Sequence, residues 1–183
     1  MGAMSGGIDL DRRYSIADLE AFPEDGRRFE LADGWLLVSP MARRLHQIGC
    51  TTLGDALKEA CPTHLYVFPL PINVDDPDNT HFEPDLTLVR KEFAKIENGD
   101  LPLLAVEVRS PATAGRDAVL KRREYARLGV ASRWLFDVDT PSLVILELQG
   151  DEYVERARAV GDQTLEITSP FPVSLNPARL VEI

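Results

Sequence analysis

The chain has 183 residues, 44% hydrophobic and 27% charged, which excludes a largely disordered or fibrous protein and suits one domain around one core. Its net charge of -10 counts against a long nonspecific nucleic-acid footprint, but leaves room for a local Arg/Lys cluster and for carboxylates gathered round a cation. No apolar run is long enough to span a bilayer, and Cys50 and Cys61 have neither zinc nor redox spacing, so the expected setting is a reducing cytosol without membrane attachment.

The start, Met1-Gly2-Ala3-Met4, reads as a tag-cleavage remnant with Met4 as the natural first residue. Residues 1–13 are Gly-rich without an apolar period and are expected to be flexible, leaving 14–183 as a single domain. Ser15 caps a short helix through Leu19, with Asp18 in its first turn, and Pro23 ends it. Arg27 to Val38 reads as a hairpin turning at Ala32-Asp33-Gly34, since Asp-Gly between two apolar runs favours a tight turn. Ser39-Pro40 breaks the strand and opens a helix to about Ala60, with the stripe Leu45, Ile48, Leu53, Ala56, Leu57 and Ala60, stopped by Pro62. Leu65–Phe68 and Ile72–Val74 are short strands interrupted by prolines, and 75–80 is a loop.

Asp85–Val89 is a strand, and Leu103–Val108, apolar on both faces, is a central one. Arg116–Leu128 is a helix closed by Gly129, followed by a strand at Trp134–Val138. Leu143–Leu148 and Tyr153–Arg156 pair around Gly150-Asp151, and a last short strand lies near Leu165–Ile167. The strand–helix–strand order over 103–138 predicts a crossover unit in a mixed sheet, so the fold class is α/β (α+β).

Glu107 is a carboxylate inside a run whose two faces should both be covered, so it must be neutralised, paired or bound to a cation. Asp85 follows Pro84 at the entrance of another strand, where it is either a strand-start residue or a second acid at a sheet rim. Two acids converging from neighbouring strands make an oxygen site for a hard cation such as Mg²⁺. Asp117, Lys121 and Tyr125 share one helix face, which runs into Leu128 and so points partly to the core. The plain alternative for Lys121 is an exposed pair with Asp117, about 0.2–0.5 kcal/mol. Arg109 shares a strand face with Glu107 and cannot give up its proton, so a working lysine would have to be Lys121, leaving Arg109 to clamp a phosphate or pair with Glu107. Glu30 is either a further ligand or base, or a solvent-facing hairpin side chain; His46 is either part of the site or a packing histidine.

The ordered set Phe29-Glu30-Leu31, Asp33-Gly34, Ser39-Pro40, His46, Pro84-Asp85-Leu86, Val106-Glu107-Val108-Arg109-Ser110-Pro111, Asp117, Lys121, Tyr125, Gly129-Val130 and Trp134 resembles the Uma2 family (DUF820) of the PD-(D/E)XK restriction-endonuclease-like superfamily. The resemblance implies a mixed sheet flanked by helices, with Asp85 and Glu107 as ligands of Mg²⁺ or Mn²⁺. It implies a catalytic lysine moved from strand to helix, which matches Lys121. Glu30 matches the family's early acid, and His46 and Tyr125 match further family positions. Arg109 departs from the family's usual aliphatic residue and sets a bulky cation beside the metal site.

Three functions follow as expectations. The first is metal-dependent endonuclease action on DNA, with Lys121 orienting or deprotonating water or offsetting charge, and with Arg109, Arg43 and Arg44 holding flanking phosphates. The second is a noncatalytic module on the same scaffold that binds a protein partner or forms a homodimer. The third is hydrolysis of another phosphate ester at the same site.

Overall fold

The structure is a computed structural model that describes residues 8–68, 79–92, 101–109 and 116–182, with the side chains of Arg116 and Asp117 left out. The expected strand at Ile72–Val74 lies outside the described residues.

A short helix α1 (Ile16–Leu19) follows Ser15, whose N–H donates to Asp18 Oδ2 at 2.7 Å, so the expected cap is in place. Strands β1 (Arg28–Ala32) and β2 (Trp35–Ser39) form the hairpin, with Ala32 opposite Trp35. Its two turn residues, Asp33 and Gly34, have φ of 51° and 74°, the left-handed pair that a tight two-residue hairpin turn requires. Residues 8–14 lie against this hairpin: Tyr14 N–H donates to the Gly34 carbonyl, and Arg13 pairs with Asp33 at 2.9 Å.

Helix α2 runs from Arg44 to Ala60, and so begins several residues later than Ser39-Pro40 suggests. No side chain caps it, Arg43 is extended, and residues 40–43 form a connector instead. Its buried face is Gly49, Leu53, Gly54 and Leu57. A Cβ at Gly49 would meet Val138 Cγ1 at 2.6 Å, so glycine is what lets the helix lie this close to the sheet.

One six-stranded sheet carries the domain. Its strands are β3 (Leu65–Phe68), β4 (Leu86–Arg90), β5 (Leu104–Arg109), β6 (Ser132–Asp137), β7 (Ser142–Gln149) and β8 (Glu152–Val160), in that spatial order. Among the described residues only β5 and β6 pair in parallel, joined by helix α3 (Arg116–Leu128); the other neighbours are antiparallel. This is the expected crossover, and Gly129 closes α3 at φ 83°. Two further short strands, β9 (Leu165–Ile167) and the unforeseen β10 (Val173–Leu175), form a small antiparallel pair.

Side-chain alternation divides the sheet between two cores. One face carries Leu86, Leu88, Leu104, Val106, Val108, Trp134 and Phe136 under α2, the β9–β10 pair and the chain end. The other carries Ala105, Val144 and Leu146 under α3, the β1–β2 hairpin and Phe82. On that second face the odd-numbered positions of β5 (105, 107, 109) and β6 (133, 135, 137) lie side by side, with Ala105 opposite Arg133 and Arg109 opposite Asp137.

Candidate active site

A cavity of about 420 Å³ opens where the hairpin, the connector 40–43, the start of α2, the end of β5 and the start of α3 meet; among its lining residues are Arg28, Glu30, Asp85, Glu107, Arg109 and Lys121. Arg43, His46 and Arg133 also line it.

The β4–β5 register ends with Leu86 opposite Val106, and Asp85, one residue ahead of β4, and Glu107, one residue on in β5, come to the same cavity. Asp85 is buried just ahead of β4, where its own N–H donates to the Val106 carbonyl at 2.9 Å. Its Oδ1 accepts from Arg28 at 2.9 Å, and its Oδ2 accepts from the Val108 N–H at 2.8 Å and lies 3.4 Å from His46 Nε2. Burial works against the Asp85 charge, but His46, Arg28 and the Val108 N–H outweigh it and hold the carboxyl below the usual range. Arg28 is likewise opposed by burial, yet Asp85 and Glu30 keep it firmly protonated.

Glu107, on β5, is buried and accepts from Lys121 Nζ at 3.2 Å on both oxygens and from Tyr125 Oη at 3.0 Å. Lys121 also reaches Glu30 Oε2 at 2.6 Å, so its ammonium sits between two carboxylates. The partner of Lys121 is therefore the pair Glu30 and Glu107; the Asp117 side chain lies outside the described residues. Burial alone would lower the Lys121 ammonium, but Glu107 and Glu30 raise it above its ordinary value. Tyr125 is fully buried, and burial together with Glu107 pushes its hydroxyl well up, so it serves as a fixed donor to Glu107.

Glu30 is not a solvent-facing hairpin residue; it is 1% exposed. Its other oxygen accepts from the Glu83 N–H at 2.8 Å, in a segment held to β1 by the reciprocal Leu31–His81 backbone bonds. Burial raises the Glu30 carboxyl, Lys121 opposes the shift, and Glu107 adds to it. His46 is half-buried between Asp85 and Cys50, whose Sγ is 3.5 Å from His46 Nδ1. The nearest ligand atoms of His46, Cys50 and Asp85 lie within 4.8 Å of one another, a grouping with metal-ligand chemistry. Burial and Asp85 push the Cys50 thiol up to about 12, so it stands there protonated.

Arg109 lines the cavity without an ion pair to Glu107, whose oxygens are taken by Lys121 and Tyr125. Arg43 lines it too and pairs with Asp139, whereas Arg44 is exposed and outside it. Sequence reasoning missed Arg28, Arg133 and Cys50. Arg28 was detectable as the residue two before Glu30, on the same face of β1; Cys50 was detectable at i+4 from His46.

The donor set can be tested against a hard divalent ion. A carboxylate offers about four acceptor positions. Asp85 uses three, for Arg28, His46 and Val108, and Glu107 uses three, for Lys121 twice and Tyr125 once. By that count each keeps one acceptor position, and both residues line the shared cavity, which fits a cation that takes one or two carboxylates and fills its remaining positions with water or phosphate.

A mixed sheet flanked by helices, carrying buried acids and a lysine at one strand end, defines a restriction-endonuclease-like protein. The family profile described as "Putative restriction endonuclease", Uma2, matches residues 16–180, and the chain belongs to that family. It is similar in fold to a crystal structure from Anabaena variabilis ATCC 29413, described as "a putative nuclease belonging to DUF820". The two share 15% identity at a TM-score of 0.71, over 92% of this chain and 97% of that one. No curated protein matches. No helix among the described residues is long and apolar enough to cross a membrane.

Proposed function

We propose that the chain is a divalent-metal-dependent endonuclease that hydrolyses phosphodiester bonds of DNA, using Mg²⁺ or Mn²⁺ held by Asp85 and Glu107. The observation that carries this reading is that Asp85 and Glu107 come to one cavity at the β4–β5 end, with Lys121 between Glu107 and Glu30 at its wall. When bound, the ion would supply a Lewis acid for the phosphoryl oxygen and make a water more acidic.

The chain's own groups divide the remaining work. Lys121, kept protonated by two carboxylates, offsets developing negative charge and is not the base. Burial raises the Glu30 carboxyl, which suits it to take up a proton. Tyr125 and Lys121 fix the orientation of Glu107, while Arg28, His46 and the Val108 N–H fix that of Asp85. Arg109 and Arg43 line the cavity and set positive charge around it in an acidic chain, which supports a role in holding flanking phosphates. Both cysteines are free, in keeping with a cytosolic setting.

The test is cleavage of supercoiled plasmid with Mg²⁺ or Mn²⁺. Asp85→Ala, Glu107→Ala and Lys121→Ala should each abolish it, and activity surviving in all three would refute the assignment.

One observation favours the noncatalytic part of a second reading, a noncatalytic homodimeric module: each carboxylate of the site already has a cation partner in Arg28 or Lys121. Calorimetry showing no Mn²⁺ binding, together with a dimer in sedimentation, would select it.

A further inference from the structure

The cations lining the cavity are not equivalent. Arg28 pairs with Asp85, Lys121 with Glu30 and Glu107, and Arg43 with Asp139. Arg109 and Arg133 have no carboxylate partner among the described residues, and each has a buried Nε without a hydrogen-bond partner. Arg133 is 3% exposed, so its charge is almost wholly withdrawn from bulk water. A guanidinium in that position without an anion is costly and is retained only if something offsets it.

The fold sets the two on one sheet face and on the wall of one cavity. β6 presents Arg133 opposite Ala105, four residues before Arg109 on the same face of β5. Asp137 and Glu107 lie close enough to act on the Arg109 charge, but neither forms an ion pair with it. Asp137, opposite Arg109, has its Oδ1 taken by the N–H groups of Asp139 and Thr140. Arg133 Cζ rests 5.2 Å from the centroid of the Tyr125 ring, and Tyr125 donates to Glu107. A flat shelf thus orients Arg133 beside the residue proposed to hold the metal.

We infer that Arg109 and Arg133 form a two-guanidinium seat for a phosphate group at the Glu107 end of the cavity. Guanidinium forks match phosphate oxygens in geometry as well as in charge, which suits two of them on one anion better than two lysines. The seat would take either a terminal phosphomonoester or an internal phosphodiester of a strand. This deepens the nuclease reading in assigning the phosphate to a nucleic acid, but binding itself requires neither metal nor turnover.

The experiment is calorimetric titration of the metal-free protein with inorganic phosphate at low ionic strength, with chloride as the control. Saturable binding at one site is expected, weakened roughly tenfold or more in Arg109→Leu and in Arg133→Gln, the range set by hydrogen bonds to charged groups. Arg156→Gln, remote on β8 and paired with Glu147, should bind as the parent does. If Arg133→Gln fails to fold, Arg133→Lys and Arg109→Leu carry the test, since Arg109 lies at a strand end and is half-buried.

No phosphate binding by the parent, or binding that neither substitution weakens, overturns the seat. Phosphate binding without plasmid cleavage keeps the seat and sinks the nuclease reading; cleavage without phosphate binding does the reverse. A 5′-phosphorylated oligonucleotide binding more tightly than its 5′-hydroxyl twin assigns the seat to strand ends. Equal affinities that fall in both variants assign it to internal phosphates.

Discussion

The two faces of the central sheet are built from the same strands but carry opposite loads. Under α2 the face is apolar apart from Ser132, with Leu53, Leu57, Leu86, Val106, Trp134 and Phe136 all buried and glycines where the helix comes closest. Under α3 and the hairpin the apolar cluster is smaller, and Glu30, Glu107, Lys121, Glu124 and Arg133 are buried around it. Since neighbours along a strand point to opposite sides, Val106 and Val108 anchor the first face while Glu107 serves the second. Hydrophobic burial on one side holds the strands in place, so the other side can keep charges that on their own would not stabilise the fold.

The largest effect should come from Lys121→Ala. It leaves Glu30 and Glu107 buried without their counter-charge, a loss of about 3–5 kcal/mol in urea unfolding. Plasmid cleavage should also be abolished, a loss of at least about 10²–10³-fold for a missing stabiliser of developing charge. Parent-like unfolding would break the comparison, because the charged face would then not depend on its internal pairing. Leu53→Ala tests the other face and should cost about 2–5 kcal/mol while leaving activity per folded molecule unchanged. A selective loss of turnover in Leu53→Ala would show that the faces are not separable. Smaller again is Gly49→Ala, whose Cβ would press on Val138 and Phe136, with an expected cost of about 1–3 kcal/mol. At Gly54 the nearest atom is a Leu86 methyl at 3.3 Å, and the helix-propensity gain of about 1 kcal/mol should offset most of that crowding.

The sequence made the apolar face easy to read and the charged face only partly so. The hairpin was legible because Asp33-Gly34 admits positive φ, and the β5–α3–β6 crossover because an unbroken apolar run precedes an amphipathic helix closed by glycine. Glu107 was legible for the opposite reason: a carboxylate where none should be free. Arg133 gives the same signal, lying between Val130 and Trp134–Phe136, but one cation beside a strand start is easily taken for a solvent-facing residue. Arg28 needed the hairpin and β4 brought together, a contact between residues far apart in sequence that no local period encodes. The late start of α2 was hidden because Ser39-Pro40 imitates a helix entrance, while the true first turn has no capping side chain.

The smallest expected effect is the most discriminating, because two carboxyls in one cavity should respond to pH with opposite signs. Asp85 is held below the usual carboxylate range, so its stabilising contribution is complete above that range and is lost as pH falls through its folded value. Glu30 is held above the range, so the fold favours its protonated form, and stability is lost as pH rises from the ordinary value through the raised one. Urea midpoints of the parent and of Asp85→Asn should therefore converge in acid, as the parent loses what the variant never had. Relative to the parent, Glu30→Gln should instead gain as pH rises through the window above the ordinary glutamate value. If both variants track the parent with the same sign, the two acids share one environment. The division of labour between an ion-paired rim at Asp85 and a desolvated interior at Glu30 would then be wrong, and with it the choice of Glu30 as the group that takes up a proton.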